Sequence, residues 1–441
     1  MKLNTKRTFL VGLAFMSICA FWQMYDNVIP LILKNTFNMP DSIAGVIMAL
    51  DNVVALFLLP LFGAISDKTG TKIGRRMPFI IIGTALAVGE MVFIPFIDNM
   101  YYAEPSPVLL FAFIALLAAL LISMAIYRSP AVALMPDVTP KPLRSKGNAI
   151  INLMGAVGGI IYLIISGLMF KDAAERNDYR AVFFIIAGIM VVSVVLLFIF
   201  VNEPKAVEEV RAYEAEHPED ILEVQDESTG ESYLPKDVKK SLTFILLSIS
   251  LWYMGYNAVS TSFSKFATIE WGMSLGKANQ CLTIGMAAAI VAYIPIGELA
   301  SKIGRKLTII GGVILLAVCF ATCAVFYYTV DGYTPAVLVV FGFVGIAWAA
   351  INVNSLPMVV EMCKESDIGK YTGYYYTFSM AAQIVTPILS GVLLQYLGYW
   401  TLFPYGALFV FFSLITMLQV KHGDNKPKLP ENKLEMFEDM D

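Results

Sequence analysis

The sequence predicts an all-α membrane protein whose twelve transmembrane helices form two pseudo-symmetric bundles of six. Three observations carry this expectation. The composition is too apolar for a soluble chain. Twelve apolar runs of spanning length fall into two sets of six on either side of an acidic segment. A short polar hinge occurs twice, at the same place in each set. Of 441 residues, 58% are hydrophobic and 15% charged, against roughly 45–50% and 25% in soluble domains.

A spanning helix needs about 20 mainly apolar residues. Such runs cover 8–33, 42–64, 78–97, 107–128, 146–169 and 181–201, then 241–265, 276–300, 306–328, 335–359, 371–396 and 400–420. The first run follows Lys2, Lys6 and Arg7, as a signal peptide would, but it extends past Leu33 without a small-residue cleavage pattern and reads as retained. Residues 1–201 are therefore expected as an N-terminal bundle and 241–420 as a C-terminal one. Between them, 202–240 is dense in Glu and Asp and reads as a solvated linker, with 421–441 as a charged tail.

An even number of crossings puts both termini on one side, and Lys and Arg are retained on the cytoplasmic side. With the termini inside, the inner segments hold all but six of the 31 Lys and Arg, the exceptions being Lys34, Lys171, Arg176, Arg180, Lys265 and Lys277. Both termini are expected in the cytoplasm. Short outer loops and few cysteines suggest a bacterial inner membrane.

The hinge is Gly63-Ala-Ile-Ser-Asp67-Lys68-Thr-Gly70-Thr-Lys72-Ile-Gly74-Arg75-Arg76-Met-Pro78-Phe79. Its glycines and proline break the helix, and its charges must lie in water. A degenerate copy, Gly297-Glu298-Leu-Ala-Ser301-Lys302-Ile-Gly304-Arg305-Lys306, stands at the matching place in the second set, with Ser301 for Asp67. The fourth and tenth runs likewise both lead into a proline and an acid: Pro136-Asp137 in one, Pro357 and Glu361 in the other. Matching signals in both halves imply tandem bundles, with a site between them near the bilayer midplane.

Together these features resemble the major facilitator superfamily over nearly the whole chain. The hinge ending Gly74-Arg75-Arg76-Met-Pro78-Phe79-Ile80, with Asp137, Arg144 and Asn148 after the fourth helix, resembles a narrower group. That group comprises the glycoside-pentoside-hexuronide:cation symporters and their plant-type sucrose:proton relatives. The resemblance implies the major facilitator fold, a cavity lined by helices one, four, seven and ten, and a co-transported cation. Sodium-using melibiose-type members carry paired acids just before a Pro-x-x-Gly that matches Pro60 to Gly63. Here Ala55 and Leu59 stand in those places, which disfavours sodium and favours a proton. Asp26 stands near where those members place an acid that hydrogen-bonds sugar.

Ionisable groups inside a membrane are costly and mark functional sites by default. Asp26, Asp51 and Glu90 lie within the first three runs and are the expected proton-coupling groups. Desolvation favours the neutral form of a carboxyl without a counter-charge, which is what a proton carrier near neutral pH requires. The competing reading is a protonated carboxyl making one structural hydrogen bond.

Sugar sites combine a flat aromatic for the C–H face of the ring with polar side chains for its hydroxyls. Trp22 with Asp26, Tyr253 with Asn257 and Trp348 with Asn352 repeat that pairing at i,i+4, on one helix face each. Gln23, Asn152, Ser260, Tyr375 and Gln383 are weaker additions. Aromatic and polar packing between helices would produce the same pattern. Asp67, Arg75, Arg76, Arg128 and Glu361 are expected to form gating ion pairs on the inner side. In water each such pair contributes about 0–1 kcal/mol.

Other classes find little support. With two histidines, His217 and His422, both in hydrophilic segments, and five dispersed cysteines, the chain offers no metal cluster or nucleophile–base pair, so no enzyme and no cofactor are expected. A net charge of -4 without a basic domain gives no nucleic-acid partner. The expectation is a monomeric importer of a glycoside or oligosaccharide with a proton. The alternatives are an exporter of drugs or metabolites, suggested by Gly155-Ala-Val-Gly158-Gly159, a lipid or lysolipid carrier, and a sugar sensor.

Overall fold

The computed structural model describes residues 4–140, 143–170, 176–216, 235–330, 332–362 and 368–424. These residues contain thirteen α-helices and no strand. In order they are α1 (Thr5–Asn35), α2 (Asp41–Lys68), α3 (Met77–Ala103), α4 (Pro107–Asp137), α5 (Arg144–Met169), α6 (Arg180–Phe200) and α7 (Glu203–Glu216). There follow α8 (Lys236–Ile269), α9 (Leu275–Ile303), α10 (Arg305–Thr329), α11 (Ala336–Val360), α12 (Ile368–Tyr396) and α13 (Leu402–Leu418), the last preceded by a 3₁₀ turn at Tyr399–Thr401. All but α7 supply a segment long and apolar enough to cross a membrane, which makes twelve spans. The chain is an integral membrane protein.

The surface fits that reading. Phe111, Val291 and Phe57 are 76%, 75% and 67% exposed, a distribution that only a hydrocarbon solvent tolerates. Small polar residues such as Ser17, Ser66, Ser248 and Thr386 are fully buried instead. Association between helices in lipid relies on close packing and local hydrogen bonds rather than on hydrophobic burial.

Two compact units divide the chain. Of the described residues, 4–40, 50–170 and 176–216 belong to the first, and 41–49 and 235–424 to the second. Within the first, α1 packs on α5 and α6, and α3 on α4 and α6. Within the second, α8 packs on α12 and α13, and α10 on α11 and α13. The pairing of first with fifth and sixth helices, and of third with fourth and sixth, thus repeats.

Several helices outrun the apolar stretches that announced them. The fourth was expected to end at 128 but α4 continues to Asp137, and α8 begins at Lys236 rather than 241. Backbone hydrogen bonds within a helix need no lipid, so a helix proceeds into water until a turn residue stops it. The segment expected as a solvated linker behaves differently at its start. Its residues 203–216 form α7, with Glu203, Ala206 and Val210 buried and Glu209 ion-paired to Arg7 at 3.0 Å. His217 and half of the linker's acids lie outside the described residues, as do Lys171, Cys363 and all of the tail beyond Asp424.

At the opposite end of the first unit, Asp98 is fully buried and pairs with Arg176 at 3.0 Å, while Thr36 donates to its other oxygen at 2.5 Å. The Arg176 guanidinium lies 4.1 Å above the Tyr102 ring. In the neighbouring segment, hydrogen bonds from Arg180 hold the Asp178 carboxyl at about 2, below the ordinary carboxylate range.

Candidate functional site

All three of the expected intramembrane carboxylates lie in the first unit, and two of them come together there. Asp26 of α1 and Asp51 of α2 are close enough to act on each other electrostatically. Arg128 of α4 acts on Asp51 with the opposite sign. The backbone N–H and side-chain Nδ2 of Asn52 both donate to Asp51 Oδ1, at 2.6 and 2.7 Å. Asp51 is therefore balanced by a cation and two donors, and Asp26 carries no such support. Arg128, expected among the gating cations, is a counter-charge inside the unit. Glu90 of α3 takes its hydrogen bond from Ser123 of α4.

Around Asp26, α1 presents an aromatic cluster. Trp22 meets Phe21 edge-on at 5.2 Å and Tyr25 at 5.5 Å. Trp22 Nε1 and the Tyr25 hydroxyl are both buried without a hydrogen-bond partner, and an unpaired buried donor costs roughly 1–3 kcal/mol. The Gln23 carbonyl accepts from Asn27 Nδ2 at 2.7 Å, and Asn152 of α5 is buried.

In the second unit, the Trp348 ring of α11 is stacked flat on Tyr256 of α8, with centroids 3.7 Å apart and planes 7° from parallel. Tyr253 meets the same indole edge-on at 5.2 Å. The Tyr253 and Tyr375 hydroxyls share a hydrogen bond at 3.3 Å, and Ser355 Oγ lies 3.2 Å from Tyr375. Asn352 donates to the Tyr293 hydroxyl at 3.3 Å, yet its Oδ1 has no partner. Asn257 Nδ2 and Asn354 Oδ1 are likewise buried and unpartnered. Asn352 and Asn354 stand two residues apart on α11 and so on different faces, which leaves Asn257 and Asn352, each one turn from a ring of the aromatic cluster, as amides that can take a hydrogen-bonding partner beside it. Ser260 and Gln383 instead bond within their own helices, to Asn257 O and Ser379 O, both at 3.4 Å.

The hinges form ion pairs inside each unit. The Arg76 guanidinium, 4% exposed, meets Asp67, Ser66 and the Gly63 carbonyl, and pairs with Asp137 at 2.8 Å. Arg75 holds the other oxygen of Asp137 at 2.6 Å. Glu203, 1% exposed, then accepts from the backbone N–H of Arg75 at 2.7 Å, Arg76 at 2.9 Å and Met77 at 2.8 Å. These N–H groups open α3 and have no acceptor within the helix, and a carboxylate there also meets the positive end of the helix dipole. Gly74 has φ +116°, and any Cβ there would collide with the Glu203 carboxylate.

The second unit repeats the device in reduced form. Arg305 pairs with Glu361 at 2.9 Å. Asp424 accepts from the Lys306 N–H at 2.8 Å, beside Gly304 at φ +98°. Glu203 and Asp424 were not singled out by sequence reasoning. Their signal is an acid shortly after the last spanning helix of each half. Replacing Glu203 with Gln is expected to cost about 2 kcal/mol of stability in thermal or denaturant unfolding, because three charge-assisted bonds become neutral ones. Asp424→Asn, with one such bond on an exposed surface, is expected to cost less than half of that. Equal effects would show that the two caps do not differ as their geometry says.

Comparison with known proteins agrees with this architecture. The profile described as Major Facilitator Superfamily matches residues 11–278 and 245–437. The cis,cis-muconate transport protein of Acinetobacter baylyi is 25% identical over 266 residues, 59% of this chain and 60% of that protein. The match thus spans under two thirds of that relative. A D-xylose–proton symporter superposes with a TM-score of 0.69 at 15% identity, covering 95% of this chain and 98% of its own. A bacterial homologue of the iron transporter ferroportin gives 0.71 at 13%, covering 95% and 99%. At these identities the superpositions speak for the fold. These similar proteins are transporters rather than enzymes. The profile match over both halves, the twelve spans and the duplicated hinge lead to one conclusion: the chain belongs to the Major Facilitator Superfamily.

Proposed function

We propose that the chain is a transporter that takes up a neutral glycoside or oligosaccharide together with a proton, exposing its site alternately to the two sides of a bacterial inner membrane, with both termini in the cytoplasm. The observation that carries the cargo class is the seam in the second unit. The Tyr256–Trp348 stack offers a flat apolar wall, and Asn257 and Asn352 offer amide atoms without partners. Helices α11 and α13 contain no charged residue. A neutral polyhydroxylated ring fits that chemistry, with its C–H face on an aromatic and its hydroxyls on the amides. Asp26 and Asp51 supply the coupling, and cargo affinity then depends reciprocally on their protonation.

The test is external pH in a lightly buffered suspension of de-energised cells expressing the protein, after addition of each member of a disaccharide and oligosaccharide panel. Alkalinisation with one sugar is expected. Silence across the panel, with sodium and without, would overturn the reading.

A second reading is favoured by Arg128, a cation within the span of α4, and by the likeness to a muconate carrier. An organic anion would use that guanidinium in place of Asp51. Dicarboxylates added in the same assay distinguish the two, since alkalinisation with muconate and not with sugars would select it.

A further inference from the structure

A groove of about 600 Å³ runs between α1 and α6 at the end of the first unit that carries the N-terminus. Its walls come from Phe9, Leu10 and Leu13 on one side and Leu196 and Phe200 on the other. The α1 residues recur at i, i+1 and i+4, and those of α6 at i and i+4, so each set forms one continuous face. From Thr5 to Leu13 the groove extends about 12 Å along the helix axis. Phe200 is the last residue of α6, so this end of the groove lies where the span leaves the hydrocarbon.

Of the described residues that line the groove, Lys6 is the charged one. Lys6 Nζ is 6.0 Å from the centroid of the Phe200 ring, with its aliphatic stem along the groove and its charge toward the headgroup level. The adjacent cation is already engaged, since Arg7 pairs with Glu209 of α7 at 3.0 Å. The groove therefore joins an apolar channel to a single ammonium group. A second groove provides the contrast. Between α9 and α11 in the second unit, a space of about 360 Å³ is lined by apolar residues such as Ile284, Leu338 and Phe343, with no charged residue.

We infer that the α1–α6 groove binds one anionic phospholipid from the leaflet on the side of the termini, its acyl chain lying along Phe9, Leu13 and Leu196 and its phosphate against Lys6. The groove explains why a chain is held, and Lys6 explains why the headgroup is anionic. The α9–α11 groove accepts an acyl chain with no preference for its headgroup.

The test is native mass spectrometry of the purified, delipidated full-length chain titrated with phosphatidylglycerol or phosphatidylcholine of the same acyl chains. The first lipid retained is expected to be phosphatidylglycerol by about fivefold, the ordinary worth of one basic residue at an anionic membrane surface. Lys6→Gln is expected to bring the ratio to one and Lys6→Arg to preserve it. Leu13→Trp, which fills the channel and leaves the cation, is expected to lower phosphatidylglycerol retention to that of phosphatidylcholine. Ala288→Trp, in the α9–α11 groove, is expected to leave the ratio unchanged. The same unfolding midpoint in all variants separates these effects from misfolding. Equal retention of the two lipids by the wild-type chain would overturn the site, as would a preference that survives both Lys6→Gln and Leu13→Trp.

Discussion

Asp51→Asn is expected to abolish accumulation of cargo against a gradient while leaving exchange of cargo across the membrane intact. With a pH difference of one unit, a carrier that moves one proton with each cargo molecule concentrates it about tenfold, since one unit is worth about 1.4 kcal/mol. The variant is expected to stop at a ratio of one. The physical reason is the company that Asp51 keeps. It faces Arg128 and a second carboxylate, Asp26, inside the same unit. Two like charges and one cation leave one negative charge over, and within a span the cheapest way to remove it is to bind a proton. An amide at position 51 removes that charge permanently, so the site no longer distinguishes the two sides by their pH. Asp26→Asn is expected to lose accumulation as well, and also to weaken cargo binding, because Trp22 and Tyr25 beside it carry unpartnered polar atoms. Proteoliposomes driven by an imposed pH difference separate these outcomes, with counterflow as the control for folding. If Asp51→Asn still concentrated cargo tenfold, Asp51 would have no part in coupling.

How far such a site is legible in the sequence depends on what lipid does to pattern. The spans are plain from length and polarity, and the hinge is plain because charged residues between two spans must reach water. The rotation of each helix about its own axis is not, because lipid is as apolar as the bundle interior and no apolar stripe marks the inward face. Helices α4 and α11 carry apolar residues on every side, with their few polar residues gathered toward one end. The i,i+4 rule paired Trp348 with Asn352 and Tyr253 with Asn257, yet the ring that lies flat on Trp348 is Tyr256, one helix turn along from Tyr253. Arg128 looked like an inner-side charge by its place near the end of an apolar run, and only the folded unit shows that it acts on Asp51. Glu203 looked like one acid among many in a solvated segment, and only the folded backbone shows three N–H groups converging on it.

Lys265 was equally invisible as more than an outer-loop cation. The structure buries it at 6% exposure, 2.9 Å from Asp41, itself 2% exposed. The Tyr399 hydroxyl donates to both oxygens of Asp41, at 3.1 and 3.0 Å, and the Lys265 ammonium lies 5.7 Å from the ring that bears it. Next to Asp41, both the N–H and the hydroxyl of Ser42 donate to Gln395 of α12, at 3.0 and 2.5 Å. These contacts explain why Asp41–Ala49, the first turns of α2, belong to the second unit although the rest of that helix belongs to the first. Lys265→Met is expected to cost about 3–5 kcal/mol in unfolding experiments, because it leaves a buried carboxylate without its cation, and Asp41→Asn to cost a similar amount for the converse reason. The double variant is expected to recover most of either loss, since two buried charges are then replaced by neutral groups of similar size and neither is left alone. Tyr399→Phe, which removes a donor and no charge, is expected to cost only about 1 kcal/mol. The double-mutant cycle decides the matter. Single losses that simply add in the double variant would mean that Asp41 and Lys265 are stabilised by other partners, and that their proximity does not fasten the start of α2.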